Sequence, residues 1–127
     1  MTASRPVVLV ADDDPDILQL VALHLRRLGC DVITAADGSS ALALAQERLP
    51  QLAVLDVSMP GLTGLDVTAA LRAAEATREI PVILLTARVQ SADVERGLEA
   101  GASGYVTKPF SPLELSERVR ALLSPSA

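Results

Sequence analysis

The chain is poor in cysteine and aromatic residues and contains no long hydrophobic run. Its single cysteine, Cys30, excludes an internal disulfide and a zinc site built from several cysteines. With one tyrosine, one phenylalanine and no tryptophan, the core must consist of aliphatic side chains. The apolar runs are far too short to cross a bilayer, and the N-terminus lacks the apolar segment of a secretory signal. We therefore expect a single domain spanning residues 1–127, located in the cytoplasm and without a membrane partner.

Positive charge is also scarce, because the formal net charge is −5. Direct binding of nucleic acid requires a basic face that attracts phosphates. The composition therefore predicts that this domain makes no direct contact with nucleic acid. Half of the residues are hydrophobic, which suffices for a substantial aliphatic core.

Short aliphatic runs alternate along the chain with longer segments that have helical spacing. The runs predicted as strands are Val7–Ala11, Val32–Thr34, Leu52–Leu55, Pro81–Leu85 and Gly104–Thr107. The segments predicted as helices are 15–28, 39–48, 64–74, a shorter one between Ser91 and Gly101, and 112–123. Five β units alternating with five α units predict a parallel sheet with helices on both faces and right-handed crossovers.

Capping signals mark the ends of two of these helices. Asp14-Pro15 is typical of an N-cap followed by the first helical residue, and Gly29 of the position after a helix end. Ser111 and Glu114 predict a capping box at the start of the last helix. Ile17, Val21, His24 and Leu28 are predicted to lie on one side of the first helix, with His24 half-buried at the margin of the apolar stripe.

Polar side chains follow four of the predicted strands at their carboxyl ends. They are Asp12 and Asp13 after the first strand, Asp56 after the third, Thr86 after the fourth and Lys108 after the fifth. Lys108 is the only lysine of the chain. In open α/β sheets, ligands bind at this edge, near the point where the strand order reverses. We therefore expect these residues to form one site.

The chemistry of this set favours a divalent cation and a phosphoryl group. Three neighbouring carboxylates raise each other's pKa, and a hard cation such as Mg²⁺ relieves that repulsion. Asp13 and Asp56 are candidates for direct ligands, with Asp12 acting through water. Lys108 supplies a compact positive charge and Thr86 a hydroxyl donor, as phosphoryl transfer requires. Asp56 is the best candidate for the nucleophile, which would give an aspartyl phosphate.

Each of these residues alone also has an ordinary structural interpretation. The acidic run 12–16 can be a solvated loop that caps a helix. Thr86 can be a strand terminus, and Lys108 can be a turn residue before Pro109. Tyr105 can be a strand aromatic with a solvated hydroxyl. Only the convergence of all these groups at one sheet edge favours a functional site.

Taken in order, several segments resemble the receiver domains of two-component response regulators over essentially the whole chain. The matching segments are 10–15, 55–64, 84–88, 101–102 and 105–110. The resemblance implies an α/β, flavodoxin-like, doubly wound fold with five parallel strands in the order 2-1-3-4-5 and five helices. The core would span about residues 6–123, and residues 124–127 would form a tail or the start of a linker.

The resemblance also implies a role for each site residue. Asp56 would be the phosphoacceptor, and Asp12, Asp13, Asp56 and the backbone carbonyl of Ser58 would hold Mg²⁺. Thr86 and Lys108 would bind the phosphoryl group, Thr86 and Tyr105 would form the switch, and the Lys108-Pro109 bond would be cis.

The implied function is that of a phosphorylation switch, not of an enzyme with a separate substrate. The donor would be a histidine kinase or a histidine phosphotransfer protein. Movement of Thr86 toward the phosphoryl group would make room for Tyr105 and change the surface of helix 4, strand 5 and helix 5. A downstream protein, or an effector domain outside this chain, would read that surface. The resemblance allows a dimer to form through the same face on phosphorylation, but Ser103-Gly104 replaces two acidic residues that help to form this face in many DNA-binding relatives, which argues against that route.

Two other functions remain open at this point. In a haloacid-dehalogenase-type phosphatase, Asp12 would be the nucleophile and Asp14 the general acid. Asp16 does not fit that motif, and Asp56 would have no role. A non-phosphorylated interaction module could keep the fold without the chemistry, but the intact set of site residues argues against it.

Overall fold

The computed structural model describes residues 5–87 and 91–123, which form a five-stranded parallel sheet between two layers of helices. The strands are β1 (Val7–Ala11), β2 (Asp31–Ala35), β3 (Leu52–Asp56), β4 (Val82–Thr86) and β5 (Gly104–Thr107). The helices are α1 (Pro15–Arg27), α2 (Gly38–Arg48), α3 (Gly64–Ala73), α4 (Ser91–Ala100) and α5 (Pro112–Leu123). The strand order is β2-β1-β3-β4-β5, which confirms the predicted fold class and order. The predicted tail, 124–127, lies outside the described residues.

Two aliphatic cores lie on opposite faces of the sheet. Successive residues of β1 point to alternate faces, so Leu9 packs in the core beneath α2 and α3, whereas Val8 and Val10 pack in the core beneath α1 and α5. All residues of β3 and β4 are buried, because helices cover both of their faces. A continuous apolar run such as that of β4 is typical of a strand buried on both faces.

The strand order places a crevice at the carboxyl ends of β1 and β3. These strands are direct neighbours, with Ala11 of β1 opposite Leu55 of β3. Because the chain leaves β1 toward β2 and leaves β3 toward β4, the order reverses between them. Ligand sites of doubly wound sheets lie at such a point.

The predicted caps of α1 are confirmed, and so is the predicted apolar side of the helix, because Ile17, Val21 and Leu28 pack in the core beneath α1 and α5. The Asp14 side chain accepts hydrogen bonds from the backbone N–H groups of Asp16 and Ile17, and Gly29 has a φ of +95°. The fully buried positions of the helix are Val21, Ala22 and Leu25. His24 is half-buried at the margin of this side, as predicted, and the neighbouring Leu25 packs in the core.

Two strands extend further toward the site than the sequence predicted. Asp56 and Thr86 belong to β3 and β4, because their backbones continue the ladder, with Asp56 opposite Leu85 and Thr86 opposite Thr107. A rigid strand therefore fixes both side chains. At α3, Thr63 and Asp66 form a capping box that the sequence analysis overlooked.

Helix α4 lies close to the sheet because residue 97 is glycine. A Cβ atom built on Gly97 would lie 2.5 Å from Cδ1 of Leu84 in β4.

At α5, the Glu114 N–H donates to Ser111 Oγ at 3.4 Å, which is one of the two bonds of the predicted capping box. Within residues 5–87 and 91–123, none of the helices has both the length and the apolarity needed to cross a membrane.

Candidate functional site

The carboxyl ends of β1, β3 and β5 bring together the acidic residues and the lysine that the sequence singled out. Carboxylate oxygens of Asp12, Asp13 and Asp56 all lie within 4.8 Å of one another. Asp12 is 1% exposed and Asp56 4% exposed, whereas Asp13 is open to solvent. The site is therefore an acidic pocket with a buried floor and one exposed carboxylate at its entrance.

Lys108 reaches into this pocket and forms two ion pairs. Its Nζ atom lies 2.9 Å from Oδ2 of Asp12 and 3.2 Å from Oδ1 of Asp56. The backbone of Lys108 is also fixed, because its N–H donates to the Thr86 carbonyl at 2.7 Å. The Lys108-Pro109 peptide bond is cis, as the resemblance implied. One residue thus connects the end of β5 to β4 through its backbone and to the acidic pair through its side chain.

The two oxygens of Asp12 have different partners. Oδ1 accepts a hydrogen bond of 2.9 Å from the backbone N–H of Asp14, which holds the carboxylate in place at the end of β1. Oδ2 is buried and ion-paired with Lys108, but among the described residues no donor reaches it with hydrogen-bond geometry. A buried carboxylate oxygen with spare acceptor capacity suits a cation or a water bound to a cation.

The pocket contains three carboxyl groups and one ammonium, and two of the carboxyl groups are buried. Burial raises the pKa of Asp56 to about 6; repulsion from Asp12 adds to the rise, and Lys108 opposes it. Burial would lower the pKa of Lys108, but its close contacts with the negatively charged carboxylates of Asp12 and Asp56 outweigh burial and raise that pKa. The ammonium therefore stays charged near neutral pH, and the carboxylate of Asp56 carries a cost when ionised.

This cost predicts an unusual dependence of stability on pH. Because the pKa of Asp56 is higher in the folded chain than in the unfolded chain, the folded state binds more protons between about pH 4 and pH 6. The free energy of unfolding should therefore fall as pH rises through this window, by up to about 3 kcal/mol relative to Asp56→Asn. Urea titrations in EDTA at pH 4, 5, 6 and 7 measure the difference. A wild type that gains stability relative to Asp56→Asn over this range would contradict the assignment.

Thr86 and Tyr105 border one small cavity between α4 and the sheet. Its other walls include Leu84 and Gly97, and its volume is about 10 Å³, room for roughly one water molecule. Thr86 is 4% exposed at the end of β4, and Tyr105 is half-buried on β5, opposite Leu84. The two residues predicted to form the switch thus line the same small cavity.

Ser58 and Gly64 both lie next to Asp56 at the end of β3. The backbone N–H of Ser58 lies close enough to Asp56 to lower its pKa slightly against the larger effects of burial and Asp12. A Cβ on Gly64 would overlap the backbone carbonyl of Asp56, and the Gly64 N–H donates to Val57 O at 3.0 Å. Gly64 therefore lets α3 begin directly behind the acidic pocket. This close approach at Gly64 was not predicted from the sequence, although a glycine at the start of a helix is a signal of close packing.

Comparison with known proteins gives consistent results for sequence and structure. A family model described as the response regulator receiver domain matches residues 8–120. The DNA-binding response regulator MtrA of Mycolicibacterium smegmatis is 44% identical over 123 residues, which cover 97% of this chain and 53% of that protein. The chain spans about half the length of the curated relatives it matches.

Two solved structures show the same fold. A response regulator described as putative, from Chloroflexus aurantiacus, superposes with a TM-score of 0.91 at 34% identity, covering 96% of this chain and all of that one. The receiver domain of a sensor histidine kinase from Pseudomonas aeruginosa PAO1 gives a TM-score of 0.86 at 32% identity, covering 94% and 98% of the two chains. That structure has a magnesium ion coordinated in the active site cleft.

Proposed function

Because the chain belongs to the response regulator receiver domain family of two-component signalling, we propose that it accepts a phosphoryl group on Asp56 in a Mg²⁺-dependent reaction. The observation that carries the proposal is the buried contact of Lys108 with both Asp12 and Asp56, beside the exposed Asp13. These are the groups that bind a cation and a phosphoryl group in one place.

The charge of the pocket supports a divalent cation as the missing component. Three carboxylates and one ammonium leave an excess of two negative charges once Asp56 is ionised. Asp12, Asp13 and Asp56 would hold Mg²⁺ together with the backbone carbonyl of Ser58, and the spare acceptor capacity of Asp12 Oδ2 fits such a role. When bound, the cation neutralises this charge and that of the incoming phosphoryl oxygens.

Asp56 is the residue best placed to be the nucleophile. It lies at the end of the central strand β3, between Asp12 on one side and the end of β4 on the other. A carboxylate oxygen of Asp56 would attack the phosphorus, the bond from phosphorus to the donor's histidine nitrogen would break, and that nitrogen would keep the electron pair. The β3 ladder positions the oxygen, so little movement is needed for attack.

Lys108 and Thr86 would stabilise the transferred group. The Lys108 ammonium already lies at Asp56 Oδ1, so a phosphoryl oxygen attached to Asp56 would fall within its reach. Thr86 would donate its hydroxyl to another phosphoryl oxygen from the end of the neighbouring strand β4. Its movement toward that oxygen would open the cavity that Tyr105 borders. The surface of α4, β5 and α5 would then change for a partner to read.

The partners follow from the family. Response regulator receiver domains interact with histidine kinases, and we take such a kinase or a phosphotransfer protein as the donor here. The longer curated relatives include a DNA-binding response regulator. We therefore propose an effector domain as one candidate for the partner that responds to the changed surface. The family match removes the haloacid-dehalogenase alternative.

Phosphorylation by a small donor tests the proposal directly. Acetyl phosphate and phosphoramidate are each added to the protein in Mg²⁺ or in EDTA, and the adduct is read by intact mass. We expect one phosphoryl adduct per chain in Mg²⁺ and none in EDTA. Absence of an adduct with both donors, while circular dichroism shows an intact fold, would favour the interaction module instead.

A further inference from the structure

Arg118 of α5 reaches around the edge of the sheet to Tyr105. Along β5, Tyr105 points toward the core beneath α2 and α3, whereas Val106 points toward α1 and α5. Arg118 starts from the α5 side, yet its Cζ lies 5.9 Å from the centroid of the Tyr105 ring. This distance is within the range of a cation–π interaction.

Gly104 borders this path. It lies between the two residues at the exposed edge, and a Cβ built on it would be 3.6 Å from Nη1 of Arg118. A longer side chain at position 104 would occupy the space through which the guanidinium passes. Glu114, one turn earlier on α5, lies 4.0 Å from Nε of Arg118 and adds a weak ion pair that keeps the side chain over the ring.

The other neighbour of the Tyr105 ring is the small cavity that Thr86 and Gly97 also line. The cavity has room for roughly one water molecule, so the ring could enter it only after Thr86 had moved away. A ring that entered it would lie farther from the guanidinium of Arg118 than in the position that the structure shows.

We propose that Arg118 is a positioning residue that holds Tyr105 at the edge of β5 and so opposes the inward movement of its ring. The proposal rests on the proposed function, since that function supplies the reason for the ring to move. A cation–π interaction at an exposed site is weak, so its loss should change the ratio of the two ring positions by about two- to fivefold. Arg118 would thus set how readily the unphosphorylated chain adopts the switched conformation.

Tyr105 is well suited to a direct test, because it is the only tyrosine of the chain. Protein labelled with ¹³C in the tyrosine ring gives signals from this residue alone. Two reference positions are recorded with the wild type: metal-free, and with Mg²⁺ and fluoroberyllate as a mimic of the phosphoryl group. We expect metal-free Arg118→Met to shift both ring signals along the line toward the fluoroberyllate positions. Its phosphorylation by acetyl phosphate should be about two- to fivefold faster.

Two matched variants separate this effect from a general disturbance. Arg118→Lys keeps a cation over the ring and should stay close to the wild type. Arg26→Met removes an exposed arginine from the last turn of α1 and should leave the tyrosine signals unchanged. Because the Arg118 side chain is 46% exposed, Arg118→Met is expected to fold.

The outcomes distinguish the inference from the proposed function. If fluoroberyllate shifts the wild-type signals but Arg118→Met leaves the metal-free signals in place, or moves them away from that line, the role of Arg118 is wrong. If fluoroberyllate shifts nothing in the wild type and no phosphoryl adduct forms, the proposed function itself has failed, and the inference falls with it.

Discussion

Asp56→Asn is expected to abolish the phosphoryl adduct formed with acetyl phosphate in Mg²⁺, a loss of at least about 100-fold in rate. The amide is nearly isosteric with the carboxylate, but it carries no charge and is a poor nucleophile. Asp12 and Asp13 lie within 4.8 Å of the position and remain available. If the variant is still modified at the wild-type rate, one of these neighbours is the acceptor and the assignment to Asp56 is wrong.

The control for this experiment is Asp31→Asn. Asp31 is an exposed aspartate at the start of β2, whereas the acidic pocket lies at the carboxyl ends of the strands. Its weak contact with Arg5, at 3.8 Å between exposed side chains, contributes little to stability. Asp31→Asn should therefore form the adduct as the wild type does.

Thermal unfolding checks that Asp56→Asn is folded. Above pH 6 this variant should be at least as stable as the metal-free wild type, because it removes a buried charge.

Lys108→Met is expected to have the second largest effect, on both rate and stability. Loss of the ammonium beside Asp56 Oδ1 removes stabilisation of the transferred group and should slow phosphorylation by about 100-fold. It also leaves the buried Asp12 and Asp56 without their cation, which in metal-free protein should cost about 3 kcal/mol. Urea titration in EDTA measures the second effect, and intact mass against time in Mg²⁺ measures the first.

Mg²⁺ distinguishes the two roles of Lys108. A divalent cation bound by the carboxylates compensates their charge, so added Mg²⁺ should restore much of the lost stability but not the lost rate. Lys108→Arg keeps the charge on a larger planar group and should fall between Lys108→Met and the wild type in both measurements. A Lys108→Met variant as stable in EDTA as the wild type would show that the two ion pairs contribute nothing to the fold.

The fold and the members of the site were predictable for a simple physical reason. Strand and helix periodicity placed Asp12, Asp56 and Lys108 at the carboxyl ends of strands, and a parallel sheet forces those ends to one edge. The distances were not predictable, because they depend on how far each strand continues. The extension of β3 to include Asp56 comes from its pairing with β4, which no local pattern records.

The contact between Arg118 and Tyr105 shows more clearly what a sequence does not reveal. Position 118 is an ordinary exposed arginine on a helix, and its spacing from Tyr105 corresponds to no local motif. The contact depends on the position of α5 relative to the edge strand β5. Likewise, the buried residues of α1 include Ala22 and Leu25, which the predicted side of the helix did not contain, because the rotation of the helix is set by packing of Leu25 into the core. In both cases the local sequence fits more than one arrangement, and tertiary packing determines which arrangement forms.

The position of Lys108 along the chain has a consequence for synthesis of the protein. The carboxylates of the pocket are made early, on β1 and β3, whereas their ammonium partner arrives only after the last strand. Domains emerge from the ribosome N-terminus first, so a nascent chain that ends before β5 holds the acidic groups without the charge that compensates them. Such a chain has neither the Lys108 ion pairs nor the β4–β5 ladder. The complete acidic pocket therefore forms only when β5 has joined the sheet and Lys108 has reached Asp12 and Asp56.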